Sequence, residues 1–274
     1  MSELKFSVSM CVYGKDNPDW FDRALDSVLN QTVKPTELVL VVDGPIPNEL
    51  EDVIEKYRPM IDFKVIRFSE NQGHGNARRA GFEACSCELI ALMDADDVSV
   101  PDRFEQQLKI FSEQDVDIVG GDISEFIGEE ENVVAYRKVP TADAEIKEYM
   151  KKRCPLNQIT VMFKKQSVKD AGGYIDWYCA EDYYLWIRLA QKGYKMTNTG
   201  TILANVRVGK EMYSRRGGWK YFKSEKKLQK YMRKNKIIGF GTYFVNVTKR
   251  FIVQVLMPNK LRGWVFKKFA RKKV

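Results

Sequence analysis

Four apolar runs, each followed by a polar turn and a stretch with helical spacing, organise the first part of the chain. Phe6–Tyr13 reads as a strand, and Asn17-Pro18 opens a helix whose apolar residues Phe21, Leu25, Val28 and Leu29 recur on one side. Glu37–Val42 is a second strand, followed by a helix near Asn48–Tyr57. Phe63–Phe68 is a third, leading through Asn71-Gln72-Gly73-His74-Gly75 into a helix that carries Arg78 and Phe82. Glu88–Met93 is the fourth, with a helix from Pro101 to about Gln114 behind it. Strands alternating with helices predict an α/β, Rossmann-like fold: a mainly parallel sheet with helices on both faces.

After Asp115 the pattern predicts shorter, less regular strands at Asp117–Val119, Ile123–Ile127, Val133–Lys138 and Ile159–Phe163, interrupted by a helix near Asp143–Lys152. A helix carrying Leu185, Trp186 and Leu189 follows, then a strand at Ile202–Val206. From Trp219 onward the chain reads as helical, basic and interleaved with aromatics. The expected organisation is therefore residues 1–115 and 116–218 as two halves of one domain, and 219–274 as a basic helical extension.

Charge sharpens that division. The net charge of +8 hides a segment from Arg207 to Val274 in which 21 Lys and Arg face only Glu211 and Glu225. The rest of the chain is acidic. A basic extension of this kind suits a polyanionic surface. The amino terminus has no signal-peptide layout, and five cysteines without a regular framework fit a reducing cytosol. With His74 the only histidine, a structural zinc site is not expected.

The chemistry is signalled at Asp94-Ala95-Asp96-Asp97, directly after the fourth strand. Three carboxylates at a strand mouth repel one another unless a cation sits between them, and Mg²⁺ or Mn²⁺ is held by one or two carboxylates plus a diphosphate. Asp97 or Ser99 also reads as an N-terminal cap before Pro101-Asp102-Arg103. Ligands of open parallel sheets bind outside the carboxyl ends of the strands. Tyr13, Asp43, Asn71 and Asp94 each follow a strand end, so they should converge on one nucleotide-binding crevice. Glu181 and Asp182 begin a helix; side chains there diverge by about 100°, so one caps and the other can take a proton from an attacking hydroxyl. Trp177 offers a flat face to a sugar ring or packs in the core. Arg207, Arg215 and Arg216 suit a diphosphate.

Taken in order, Ser7-Val-Ser-Met-Cys-Val-Tyr13, Ser27-Val-Leu-Asn-Gln-Thr32, Val41-Val-Asp-Gly44, Asn71-Gln-Gly73, Ala77-Arg78, Leu92-Met-Asp-Ala-Asp-Asp97 and Glu181-Asp-Tyr-Tyr-Leu-Trp-Ile-Arg188 resemble glycosyltransferase family 2, over roughly residues 5–218. Asp117-Ile-Val-Gly-Gly-Asp-Ile-Ser-Glu-Phe126 and Arg215-Arg-Gly-Gly-Trp-Lys-Tyr221 are similar to its bacterial exopolysaccharide, capsule and O-antigen branch, with amylovoran-type and galactosyl transferases. The resemblance implies a GT-A fold and inverting transfer of a hexose, galactose or glucose favoured, from a UDP-sugar. By similarity, Asp43, Arg78 and the backbone near Tyr13 lie at the uridine. Asp94 and Asp96 hold Mn²⁺ or Mg²⁺ and the diphosphate, and Asp182 is the base. Asn157-Gln158 stands where the branch has Asn-His at the acceptor, and a single Asp at position 43 replaces a common pair.

The implied acceptor is a polyprenyl-diphosphate-linked saccharide, reached from the cytoplasmic face of the cell membrane. Leu261, Val265 and Phe269 recur at helical spacing with Lys260, Lys267 and Arg271 on the other side, so the extension is expected to rest on anionic lipid. Arg262 interrupts the apolar side. Two rival readings are a sugar nucleotidyltransferase and a non-enzymatic polyanion binder. The first lacks a glycine- and arginine-rich loop after the first strand, and the second leaves the acidic crevice unexplained, so no nucleic-acid partner is expected.

Overall fold

The computed structural model describes residues 4–209, 217–258 and 261–262. The chain runs β1 (Phe6–Val12), α1 (Pro18–Leu29), β2 (Glu37–Val42), α2 (Asn48–Tyr57), β3 (Asp62–Arg67), α3 (His74–Ala84) and β4 (Leu89–Asp94). These are the strand and helix units that the apolar runs predict. The strands lie in the order β3-β2-β1-β4, all parallel. Alternation along each strand divides the side chains between two cores. Leu38, Leu40 and Val42 pack with Phe21 and Leu25 of α1 and Leu50 and Ile54 of α2. Val39, Ile90 and Leu92 face the other way, toward Phe82 of α3. Helix α1 starts where Asn17 Oδ1 accepts from the Trp20 amide at 3.1 Å, with Pro18 in the first turn.

The chain continues through β5 (Val98–Ser99), α4 (Arg103–Glu113), β6 (Ile118–Phe126), β7 (Val133–Arg137), α5 (Asp143–Met150), β8 (Met162–Lys164), α6 (Lys165–Asp170), α7 (Glu181–Gln191) and β9 (Met196–Arg207). The sheet extends as β4-β8-β6-β9-β5, with β7 on β6. Here the strand expectations need correction. Two short strands around Gly120-Gly121 are one nine-residue strand, β6. The glycines serve close approach and not a break: a Cβ on Gly121 would lie 2.5 Å from Leu203 Cγ and 2.8 Å from Thr199 Oγ1. Strand β9 starts well before Ile202, because parallel pairing with β6 from Ile118↔Met196 onward outweighs the polar run Thr197–Thr201. Asp97 and Ser99 do not cap α4; Ser99 pairs with Ala204, and the residue before α4 is Asp102.

Two more helices, α8 (Gly218–Lys234) and α9 (Phe240–Phe251), form a hairpin that runs on as a π-turn over Ile252–Leu256. It does not extend freely from the body over these residues. Leu228, Met232 and Ile238 are buried in the same core as Leu185, Trp186 and Leu189 of α7. Asn246 fastens it, its amide donating to the Lys151 carbonyl and to Gln229 Oε1, both at 2.9 Å. No described helix is long and apolar enough to cross a membrane. Val265, Lys260, Lys267, Phe269 and Arg271 lie outside the described residues.

The contact at Gly121 makes a test of the β6–β9 seam. Gly121→Ala should lower stability by about 1–3 kcal/mol, as overpacking of a filled core does. The shift of the urea midpoint measures it, and an unchanged midpoint would show that Leu203 yields freely.

Candidate active site

The acidic turn is built by the sheet. Strand β4 ends on Asp94, the chain turns through Asp96 and Asp97, and β5 anchors it by pairing with β9. Asp94, Asp96 and Asp97 each bring a carboxylate oxygen within 4.8 Å of the others. Arg207, the last residue of β9, clamps the turn. Its amide donates to Asp97 Oδ1 at 2.8 Å and its Nε to the Asp96 carbonyl at 3.3 Å. Its guanidinium lies 4.6 Å from the rings of both Trp20 and Phe126 and donates to the Gly128 carbonyl. Burial, followed by the charges of Asp96 and Asp94, pushes the Asp97 carboxyl well up.

Two buried guanidiniums stand behind the turn. Arg78 of α3 is ion-paired with Asp94 and donates to the Met93 carbonyl at 3.2 Å and the Ser9 carbonyl at 3.4 Å. Arg103 donates to the Leu92 carbonyl at 2.7 Å and to Ser99 Oγ at 3.0 Å; burial pulls it down to about 9, against the pull of Asp94. Asp43 accepts from the amides of Gln72 at 2.7 Å and Gly73 at 3.0 Å, and Asn71 donates to its carbonyl at 3.2 Å. Those amides lead into α3, whose N-terminus favours negative charge. His74 accepts from Arg78 Nε at 3.2 Å and is held neutral, its pKa pulled down to about 4 by burial and then by Arg78. Tyr13 is exposed beside this region, its amide donating to Asp16.

Glu181 and Asp182 open α7 and line the same cleft of about 1840 Å³ as Asp94, Asp96 and Asp97. Asp182 accepts from the Tyr183 amide at 2.6 Å and from the Cys154 thiol at 3.8 Å. Burial raises the pKa of both carboxyls; Glu181, with Asp182 as the second cause, is pushed up to about 7. Arg137 works the other way on Asp182 and favours its ionised form.

The remaining site residues divide. Gln158 and Arg207 line the cleft. Trp177 does not offer its ring to a ligand, which corrects the sugar-platform expectation. Its indole packs 4.4 Å from Tyr184 with Lys227 over it at 4.2 Å, and Nε1 donates to the Ser224 carbonyl. Asn157 is buried with its amide on the Gly121 carbonyl at 2.8 Å, so a direct acceptor contact is corrected to support of the β6 backbone. Arg215 and Arg216 lie outside the described residues. Sequence reasoning missed Arg103, Arg137, Cys154 and the Glu225–Arg250 pair, all of which stand at or behind the cleft. Only Arg103 left a sequence signal, as one of two polar residues, with Gln107, on the buried side of α4.

Comparison with known proteins decides what kind of site this is. Residues 7–168 match the family model for glycosyl transferase family 2. A UDP-Gal:alpha-D-GlcNAc-diphosphoundecaprenol beta-1,3-galactosyltransferase of Escherichia coli is 34% identical over 98% of this chain and 97% of its own length. The chain belongs to glycosyltransferase family 2. An amylovoran biosynthesis glycosyltransferase of Erwinia amylovora is 32% identical to this glycosyltransferase, over 96% of the chain and 98% of its own length. Among solved structures, S. aureus TarS 1-349 in complex with UDP-GlcNAc superposes with a TM-score of 0.67 at 16% identity, covering 96% of this chain and 79% of that one. A Pyrobaculum calidifontis mannosyltransferase in complex with GDP-Man and Mn²⁺ gives 0.62 at 14%, covering 95% and 72%. The fold of this glycosyltransferase is therefore GT-A, as its family resemblance implies. Membership of the family displaces the nucleotidyltransferase and polyanion-binder readings.

The Glu181 carboxyl gives a pH test on the ligand-free protein. Its pKa, raised from 4.5 to about 7, means that the native state holds this proton more tightly than the unfolded state does. Its contribution to stability therefore falls as pH rises between about 4.5 and 7. Glu181→Gln removes that loss, so its gain in Tm over the natural protein should be larger at pH 8 than at pH 5. Parallel Tm curves across this window would contradict it.

Proposed function

We propose that this glycosyltransferase moves a hexose, galactose or glucose, from a UDP-sugar to a polyprenyl-diphosphate-linked saccharide, with inversion, in bacterial surface polysaccharide synthesis. The observation that carries the reading is the meeting of two acidic groups, Asp94-Asp96-Asp97 and Glu181-Asp182, on one cleft at the strand ends. The whole-length relative whose printed activity is galactosyl transfer from UDP-Gal to a GlcNAc-diphospholipid supports donor and acceptor class.

The donor set fits a hard divalent cation. Asp94, paired with Arg78, Asp97, which accepts from the Arg207 amide, and Asp96 each bring one carboxylate oxygen within 4.8 Å of the others, a spacing that suits such an ion. Mn²⁺ or Mg²⁺ held by Asp94 and Asp96 would neutralise charge developing on the leaving diphosphate. Asp182 takes the proton from the acceptor hydroxyl, whose oxygen attacks the anomeric carbon from the face opposite the diphosphate. The bond from that carbon to the diphosphate oxygen breaks as the new one forms, and UDP leaves. Of the two carboxylates, Asp182 is assigned as the base by its place in the Glu-Asp pair of the family; burial raises its pKa while the Tyr183 amide and Arg137 oppose that rise, and Glu181 is pushed up to about 7. Asp43, Asn71, Tyr13 and Arg78 form the nucleotide side in this reading, and Arg207 steadies the turn that carries the ion. The enzyme works at the inner face of the cell membrane, where such acceptors are held, with the basic segment 219–274 toward anionic lipid.

Asp182→Asn should keep UDP affinity and lower turnover by at least about 100-fold. Near-normal UDP release from a donor panel by that variant would reject Asp182 as base. Asp96→Ala should abolish the Mn²⁺-dependent part of UDP binding in calorimetry, and binding that survives both this change and chelation would remove the ion from the reading.

A further inference from the structure

The cleft holds an aromatic ring that the transfer step leaves without a task. Three described aromatic residues line it: Tyr183 is buried with its hydroxyl donating to the Met150 carbonyl, Tyr221 is half-buried, and Trp20 is 41% exposed. Trp20 stands in the first turn of α1, where Asn17 caps its amide. The Arg207 guanidinium lies over its ring at 4.6 Å and over that of the fully buried Phe126 at the same distance. An indole held on an anchored cation loses little freedom when a ligand covers it.

Arg207 also fixes where that ring stands. It donates to the Asp96 and Gly128 carbonyls, so Trp20 sits beside the turn assigned to the ion and the donor diphosphate. The pyranose attached to that diphosphate is the nearest sugar the ring can meet. Asp19, the residue before Trp20, lines the same cleft with an exposed carboxylate.

The two hexoses of the proposed function differ only at C4, and an aromatic face tells them apart. In galactose the axial O4 leaves the hydrogens of C3, C4 and C5 on one side of the ring, as a continuous apolar patch. In glucose the C4 hydrogen lies on the other side and the patch is broken. A large aromatic surface gains by removing such C–H groups from water. In an alpha-linked UDP-sugar the diphosphate leaves from the side that carries the patch. A ring beside the diphosphate turn can therefore cover the patch while the opposite side of the anomeric carbon stays open to the acceptor hydroxyl, as inversion needs.

We infer that Trp20 is the platform for the donor hexose and selects galactose over glucose: its indole covers the C3–C5 patch, and Asp19 accepts from the sugar's hydroxyls. The inference rests on the reading above that the donor is a UDP-hexose, and it narrows that reading to one sugar. Arg207 then has two tasks, clamping the acidic turn and carrying the platform.

The test titrates full-length protein, with Mn²⁺ and no acceptor, against UDP, UDP-galactose and UDP-glucose. UDP-galactose should bind about three- to tenfold more tightly than UDP-glucose, the range that one aromatic contact gives. Trp20→Ala should erase that preference and leave the affinity for UDP, which has no hexose, within about twofold. Trp20→Phe should restore part of the preference, because it keeps an aromatic face. Equal binding of the two sugars by the natural protein, or a preference that survives Trp20→Ala, overturns the inference. A parallel fall in UDP affinity in Trp20→Ala also overturns it, since the ring would then be a support for Arg207 alone. A transfer assay with a GlcNAc-diphosphate-lipid acceptor keeps the two readings apart. Glucose transfer as fast as galactose transfer sinks only this inference, whereas no transfer from either UDP-hexose sinks the proposed function.

Discussion

Everything at the cleft depends on holding Asp94, Asp96 and Asp97 together against their own repulsion. Unit charges about 5 Å apart repel by about 3 kcal/mol at an effective dielectric near 20. The fold opposes this with Arg78 and Arg103, guanidiniums fully buried behind the turn, and with the Arg207 amide and side chain in front of it. A buried guanidinium is itself costly unless its donors are met. Here the carbonyls of Ser9, Leu92 and Met93 meet them, so the middle of β1 and the end of β4 supply the acceptors behind the carboxylates. The acidic site and the polar interior of the sheet are one network, and a change in either is felt in both.

That network explains which parts were legible in the sequence. The strand ends were, because continuous apolar runs and polar turns are local signals: β2 and α2 have the bounds that the pattern predicts. Asp94, Asp96 and the Glu181-Asp182 pair were legible as chemistry because clustered charge at a strand or helix end is unusual without a task. Arg78 was visible only through family resemblance. Its partner Asp94 is 16 residues away, and nothing local says that an arginine on α3 turns inward. Trp177 stayed open between a sugar platform and core packing for the same reason. An aromatic next to an acidic pair looks alike whether it faces a sugar or a core, and the groups that cover it, Tyr184, Ser224 and Lys227, come from later helices. Gly120-Gly121 looked like a break, because the close approach of Leu203 is a property of β9 and not of β6.

The charge division along the chain acquires a physical meaning in three dimensions. An acidic body and a basic carboxyl-terminal segment attract one another at long range, which favours docking of the hairpin on the body. Docking is then fixed by specific contacts. Between residues 217 and 258 Glu225 is the one acid, and it is buried against Arg250 beneath the Asp182 end of the cleft. The pair ties α8 to α9, and the Arg250 donation to the Lys152 carbonyl at 3.0 Å ties both to the end of α5. An ion pair this deep stabilises little by itself, because both charges lose water. Its effect is geometric: it fixes the height of α9 over the cleft and so the position of Lys249 and Val245 at the rim.

The consequence is a cleft with walls of opposite sign. One wall gathers the carboxylates of Asp94, Asp96 and Asp97 after the fourth parallel strand. The cleft is also lined by Lys152 and Arg153, which follow α5, and by Lys249 of α9. Glu181 and Asp182, at the start of α7, line the same space.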